Sequence, residues 1–267
     1  MRRSVISMAK PFVAKHGVSI TAARGSGASL RRSMRSRKIR RIVIALSAVA
    51  VTLVLLLAGL LATLPSVGDA EHRVQQRLMA HASRDSHQTV PVRIAEAIIA
   101  VEDASFRANS GVDVRGIGRG VRGVISGGAD RGGSTITQQL AKALYVGENG
   151  GVSGKVRAIA LAMKMAKRYR KVEILEMYAA VEYFGHGAYG MEQASQLFFH
   201  RSAAELDWAE ASMLAGLLQA PSRLDPVSHF DRARARQRHV LDRLVATHTL
   251  TIEQASIAYS ELSSLDR

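Results

Sequence analysis

Gly132-Gly133-Ser134-Thr135-Ile136-Thr137-Gln138-Gln139-Leu140-Ala141-Lys142 is the most informative stretch of this 267-residue chain. A glycine pair leads into hydroxyl residues. Hydroxyls at such a position cap a helix start, where free N–H groups favour anions. Ser134 and Thr137 are placed to form the cap. Thr135, Gln138 and Lys142 recur at helical spacing and bring a hydroxyl, an amide and an ammonium to one face. Two readings fit: a polar, phosphate-friendly surface, or a well-capped amphipathic helix.

On the N-terminal side of this stretch lies a glycine-rich segment, 116–133, that reads as flexible loop. Before it, Ile94 to Phe106 places Ile94, Ala97, Ile98 and Val101 on one helical face and contains Glu102-Asp103. A carboxylate at a helix end beside a loop can be partly desolvated at the lip of a cleft, which suits a general base. The plain alternative is an exposed pair of acids. On the C-terminal side, Gly147–Gly154 is a second loop. The periodicity then predicts helices from Lys155 to Tyr183 (broken near Arg170), Ala203 to Gln219 and Phe230 to His248. Thr251 is positioned to cap a last helix. Strand signals are sparse. The Arg232, Arg234, Arg236, Arg238 run reads as a solvated face.

Farther out, charge and apolarity separate sharply. Residues 1–41 hold twelve Lys and Arg and no acid, so this tail carries most of the net charge of +15. Its Ser, Gly and Ala content predicts disorder. The charge sits in a tail and not on a folded face, so nucleic-acid binding is not expected. Binding to anionic headgroups and a simple orientation signal both remain open. Ile42 to Leu64 is uncharged and long enough to cross a bilayer. Five basic residues from Arg35 to Arg41 precede it, while Asp69 and Glu71 follow, which predicts a cytoplasmic N-terminus and an extracytoplasmic domain. Ala70 to about Ala82 reads as a polar stalk helix. There is no Cys, so disulfides, thiolate metal sites and a Cys nucleophile are excluded. The histidines show no zinc-ligand spacing.

Three groups of residues together resemble a known family. Ala100 to Phe106 with Gly111-Val112-Asp113 and Arg119 are similar to the first motif of the peptidoglycan glycosyltransferases of family 51. Gly132 to Lys142 resembles the second almost letter for letter. Glu173 to Tyr178, Tyr183 to Gly190 and Ala209 to Ser222 resemble the later motifs. The resemblance covers about residues 85–245. It implies a mostly α, lysozyme-like helical glycosyltransferase domain with one N-terminal transmembrane helix, of the monofunctional type. The expected layout is a basic cytoplasmic tail (1–41), a transmembrane helix (42–64), a stalk (65–84), the glycosyltransferase domain (85–248) and a C-terminal helix (249–267).

The family polymerises lipid II, so the resemblance implies lipid II and the growing glycan strand as partners, on the bacterial cytoplasmic membrane, beside other cell-wall synthesis proteins. It implies Glu102 as general base on the attacking 4-hydroxyl. Asp103, Arg119, Ser134, Thr135, Gln138, Gln139 and Lys142 would serve the substrate, with Lys142 near the pyrophosphate. The chain departs from the family at four polar positions. The second glutamate, assigned to leaving-group assistance and in one account to a divalent metal, falls at Ala158. The first-motif histidine is Asn109, the asparagine after Tyr178 is Ala180, and a basic loop residue is missing from Gly147–Gly154. Lys155 and Arg157 flank Ala158 and could meet the pyrophosphate directly, without metal; Glu148 is a nearby acid. Altered turnover and a non-catalytic, lipid II-binding role are both consistent with these departures. A glycan-cleaving enzyme with a single glutamate is a third reading.

Overall fold

A computed structural model describes residues 26–81, 89–113, 116, 133–147 and 151–262. The chain divides into two compact units, Met1–Ala58 and Gly59–Arg267, taken separately below.

The first unit holds most of helix α1 (Ser26–Thr63). Its segment Ile39–Leu56 is long and apolar enough to cross a membrane, and its side chains are exposed. The helix begins well before Ile42, inside the stretch read as disordered. Leu30, Arg31, Arg32 and Met34 are residue types that favour helix, and a helix already nucleated by the apolar run extends into them at little cost. Residues 1–25 lie outside the described residues.

The second unit is helical apart from one small hairpin among the described residues. Helix α2 (Ala70–Ala80) buries Ala70, Val74 and Leu78. The helix read as a polar stalk therefore packs into the domain. The preceding segment is docked too: Leu64 and Val67 are buried. Lys164 donates to the Leu64 carbonyl at 2.9 Å, and the Tyr169 hydroxyl donates to that of Val67 at 2.9 Å. A three-residue apolar stripe on an otherwise charged helix was too thin to separate core from stalk.

Helix α3 (Val92–Glu102) buries Ile94, Ala97 and Ile98. Helix α4 (Ile136–Ala141) continues into a π-helical turn, Lys142–Val146. Helices α5 (Gly151–Arg168) and α6 (Lys171–Val181) are separated at Arg170, whose extended backbone ends one helix and starts the next. Glu173 accepts from the Arg170 N–H at 2.7 Å across that junction. A hairpin of β1 (Tyr183–Gly185) and β2 (Ala188–Tyr189) leads to α7 (Met191–Phe199).

Helix α8 (Trp208–Leu217) is buried from Ala209 through Leu217. It is apolar on nearly every face, and such a helix belongs in the middle of a core. Helices α3 and α9 (Phe230–Ala246) pack against it. Helix α10 (Ile252–Glu261) closes the chain, capped by Thr251, which accepts from the Gln254 N–H at 3.1 Å. Two helix groups result: α3, α8, α9 and α10 on one side, and α2, α4, α5 and α6 on the other. The C-terminal end of α3 brings Glu102 against α4, where the groups meet.

Candidate active site

Glu102 is the last residue of α3, and its side chain is 13 % exposed. One carboxylate oxygen, Oε2, accepts from Gln139 Nε2 at 2.8 Å. Gln139 Oε1 in turn accepts from the Tyr178 hydroxyl at 3.0 Å. Burial raises the Tyr178 phenol well above its usual pKa, and Glu182 and Glu102 push in the same direction. Tyr178 thus stays a proton donor, which sets the Gln139 carboxamide with its NH2 toward Glu102. Oε1 of Glu102 accepts no hydrogen bond among the described residues, and Arg236 Nη2 lies 3.9 Å from it. One oxygen is held and the other is open, the arrangement expected of a base awaiting a hydroxyl. Tyr178→Phe removes the donor to Gln139 and should cost about 1–2 kcal/mol of stability, read by thermal unfolding.

Gln139 also lines a cavity of about 360 Å³. The other walls are Ser134 and Gln138 from α4 and its approach, Lys142 and Val146 from the π turn with Gly147 just after it, and Gly151, Gly154, Lys155 and Ala158 from α5. These α5 residues follow i, i+3, i+4, i+7, a single helix face. Arg157 is not among them. It follows Lys155 by two residues, roughly 200° round the helix, and projects elsewhere. Ala158 is 6 % exposed and forms part of the wall, so a longer side chain there would enter the cavity. Gln138 is 5 % exposed, and its Nε2 has no hydrogen-bond partner among the described residues. A buried amide donor beside a cavity favours an anionic or carbonyl occupant.

Thr135, and not Ser134, caps α4: its Oγ1 accepts from the Gln138 N–H at 3.2 Å and donates to the Gly111 carbonyl at 2.7 Å. Thr135 is thereby turned inward, away from the cavity. Thr137 is fully buried and caps nothing.

Asp103 is 6 % exposed. It accepts from Ser105 Oγ at 2.8 Å, from Asn109 Nδ2 at 2.9 and 3.1 Å, and from the Ile136 N–H at 3.3 Å. Asn109 Oδ1 receives the Gly111 N–H and Lys171 Nζ, each at 3.0 Å. Burial lowers the Lys171 pKa and Asp103 opposes that shift. Asp103 therefore joins the first-motif loop to the start of α4, and its carboxylate is engaged by protein donors. Asn109 fits this network fully in place of the family's histidine. Ala180 is buried core. Arg119 and Glu148 lie outside the described residues.

The structure adds Tyr178 and Arg236 to the residues singled out from the sequence. Arg236 had a sequence signal. In the 232–238 run, Arg232 and Arg236 share one helix face, and Arg234 and Arg238 share another, over the Tyr259 ring at 3.7 and 4.6 Å.

Residues 71–245 match the family model described as Transglycosylase. The chain belongs to this family, the peptidoglycan glycosyltransferases of family 51, and has the mostly α, lysozyme-like fold class expected from its motifs. Among individual relatives, it is 38 % identical over 172 residues to penicillin-binding protein 1A of Neisseria gonorrhoeae, covering 64 % of this chain and 22 % of the relative. It is 38 % identical over 153 residues to penicillin-binding protein 1F of Bacillus subtilis strain 168, covering 57 % and 21 %. The chain thus spans about a fifth of the length of the curated relatives it matches. The crystal structure of penicillin-binding protein 1A from Haemophilus influenzae aligns over 67 % of this chain and 17 % of that one, with 22 % identity and a TM-score of 0.40.

Proposed function

We propose that this chain polymerises lipid II into glycan strands at the outer face of the bacterial cytoplasmic membrane, anchored by α1 with its N-terminus in the cytoplasm. The observation that carries the proposal is Glu102. One oxygen is fixed by Gln139, the other is open, and the same Gln139 lines the adjoining cavity. Glu102 Oε1 accepts the proton of the acceptor's 4-hydroxyl as that oxygen bonds to C1 of the growing strand. The bond from C1 to the lipid diphosphate breaks, and the diphosphate leaves with the electron pair. Charge develops on the leaving group, so donors fixed beside it lower the barrier. Lys142, Lys155 and the Gln138 amide supply that role.

The described walls of the cavity carry two ammonium groups, two carboxamides and a hydroxyl, but no carboxylate. Hard divalent cations require oxygen donors and are repelled by ammonium groups. The donor set does not fit a metal, and the mechanism routes no step through one.

The wall at Ala158 also favours a second reading, a lipid II-binding member that regulates wall synthesis without turnover. Labelled lipid II offered to the detergent-solubilised full chain separates the two. Polymer formed in EDTA, with no more than about a twofold gain from Mg2+, is the result expected of a metal-free leaving-group site. Ala158→Glu introduces a carboxylate and should make the rate depend on added Mg2+. Retention of lipid II with no polymer, in EDTA or in Mg2+, would establish the second reading.

A further inference from the structure

Glu102 occupies an electrostatically awkward place. The C-terminal end of a helix carries partial negative charge, which disfavours a carboxylate there. Its side chain is 13 % exposed, so water offsets little of this. The Gln139 amide contributes a dipole, and no cation on α3 or α4 is hydrogen-bonded to it among the described residues. The compensating charge comes from α9, which packs beside α3 in the same helix group. The Arg236 side chain is 14 % exposed, with Nη2 3.9 Å from Glu102 Oε1. Its Nε is buried and makes no hydrogen bond among the described residues. Burial depresses the Arg236 pKa, and Glu102 opposes that shift. An arginine held this way, with one donor unsatisfied, is retained at a cost to stability.

The neighbouring packing makes room for it. A Cβ on Gly216 of α8 would stand 3.1 Å from Arg236 Cγ. Two turns farther along α9, Arg243 Nε donates to the Ala100 carbonyl at 3.1 Å, which fastens α9 to the end of α3. At 3.9 Å, Arg236 attracts the open oxygen without closing a hydrogen bond on it, so that oxygen stays available to an incoming hydroxyl.

We propose that Arg236 is a positioning residue for Glu102: the α9 cation sets the open oxygen of the base toward the acceptor hydroxyl while leaving it unblocked. The proposal rests on the reading of Glu102 as proton acceptor. Two measurements on the detergent-solubilised full chain test it. In thermal unfolding, Arg236→Met strands the Glu102 carboxylate and should lower the melting temperature by about 3–6 °C. In a Glu102→Gln background the same change should cost less than half as much, since coupled residues are not additive. In polymerisation, Arg236→Met should lower kcat about tenfold with KM unchanged, and Arg236→Lys should restore most of the loss. Additive melting shifts would overturn the proposal, as would an unchanged kcat. Should no variant make polymer, the unaltered chain included, the catalytic reading of Glu102 fails, and the melting cycle alone decides the pairing with Arg236.

Discussion

Glu102→Gln lowers lipid II polymerisation by about 10²- to 10⁴-fold, the range expected when a positioned general base is lost. The substitution is nearly isosteric. The amide oxygen of glutamine can still accept from Gln139 Nε2, so the Tyr178–Gln139 arrangement survives. What is lost is the capacity of the open position to take a proton. The melting temperature should stay within about 3 °C of the unaltered chain, because the attraction of Arg236 is lost together with the cost of a buried carboxylate at a helix C-terminus. Polymer yield and melting are measured on the same preparation. Polymer made at the native rate would remove Glu102 from the chemistry and leave the cavity as a binding site alone.

Gly111→Ala destabilises the domain by about 2–6 kcal/mol, combining a left-handed backbone with an overpacked contact. Gly111 has φ +89°, and a Cβ there would fall 2.5 Å from the Ala162 carbonyl oxygen and 2.9 Å from its carbon. Those atoms are backbone of α5 and cannot swing aside as a side chain could. The carbonyl of Gly111 receives the Thr135 hydroxyl, so the clash would wedge the first-motif loop away from both α4 and α5. A fall in melting temperature of roughly 5–20 °C is expected, with loss of polymerisation below it. Native melting of this variant would show that the loop relaxes at no cost.

Much of this fold was readable from periodicity. The helix starting after Thr251 began where its cap placed it, and the break at Arg170 fell where the pattern placed it. Helix α2 was misread because only Ala70, Val74 and Leu78 mark its buried side. The tail misreading has a different origin: composition describes isolated peptide, whereas residues from Ser26 onward are continuous with a long apolar helix.

In the site, the residue types were legible and their directions were not. Ser134, Thr135 and Thr137 are all hydroxyls within four residues, and only backbone geometry decides which one caps, which lines the cavity and which is buried. Arg157 and Lys155 look equivalent in a linear reading, yet a helix sends them to different sides. Tyr178, 76 positions beyond Glu102, acts on it through Gln139, and Arg236 approaches from 134 positions beyond; the spacing marks the helix face of Arg236 but not the carboxylate it faces.

Two adjacent acids, Glu102 and Asp103, have opposite fates. One keeps an oxygen free, while the other is fully engaged by Ser105, Asn109 and the backbone of Ile136. A mutational scan scored only by product would record them as equals, because losing the brace scatters the cavity walls as surely as losing the proposed base stops proton transfer. Such a scan would enlarge the apparent catalytic centre by one residue whose carboxylate is already held by protein donors. Scored by melting as well, the pair comes apart: silence with an intact fold at 102, silence through unfolding at 103.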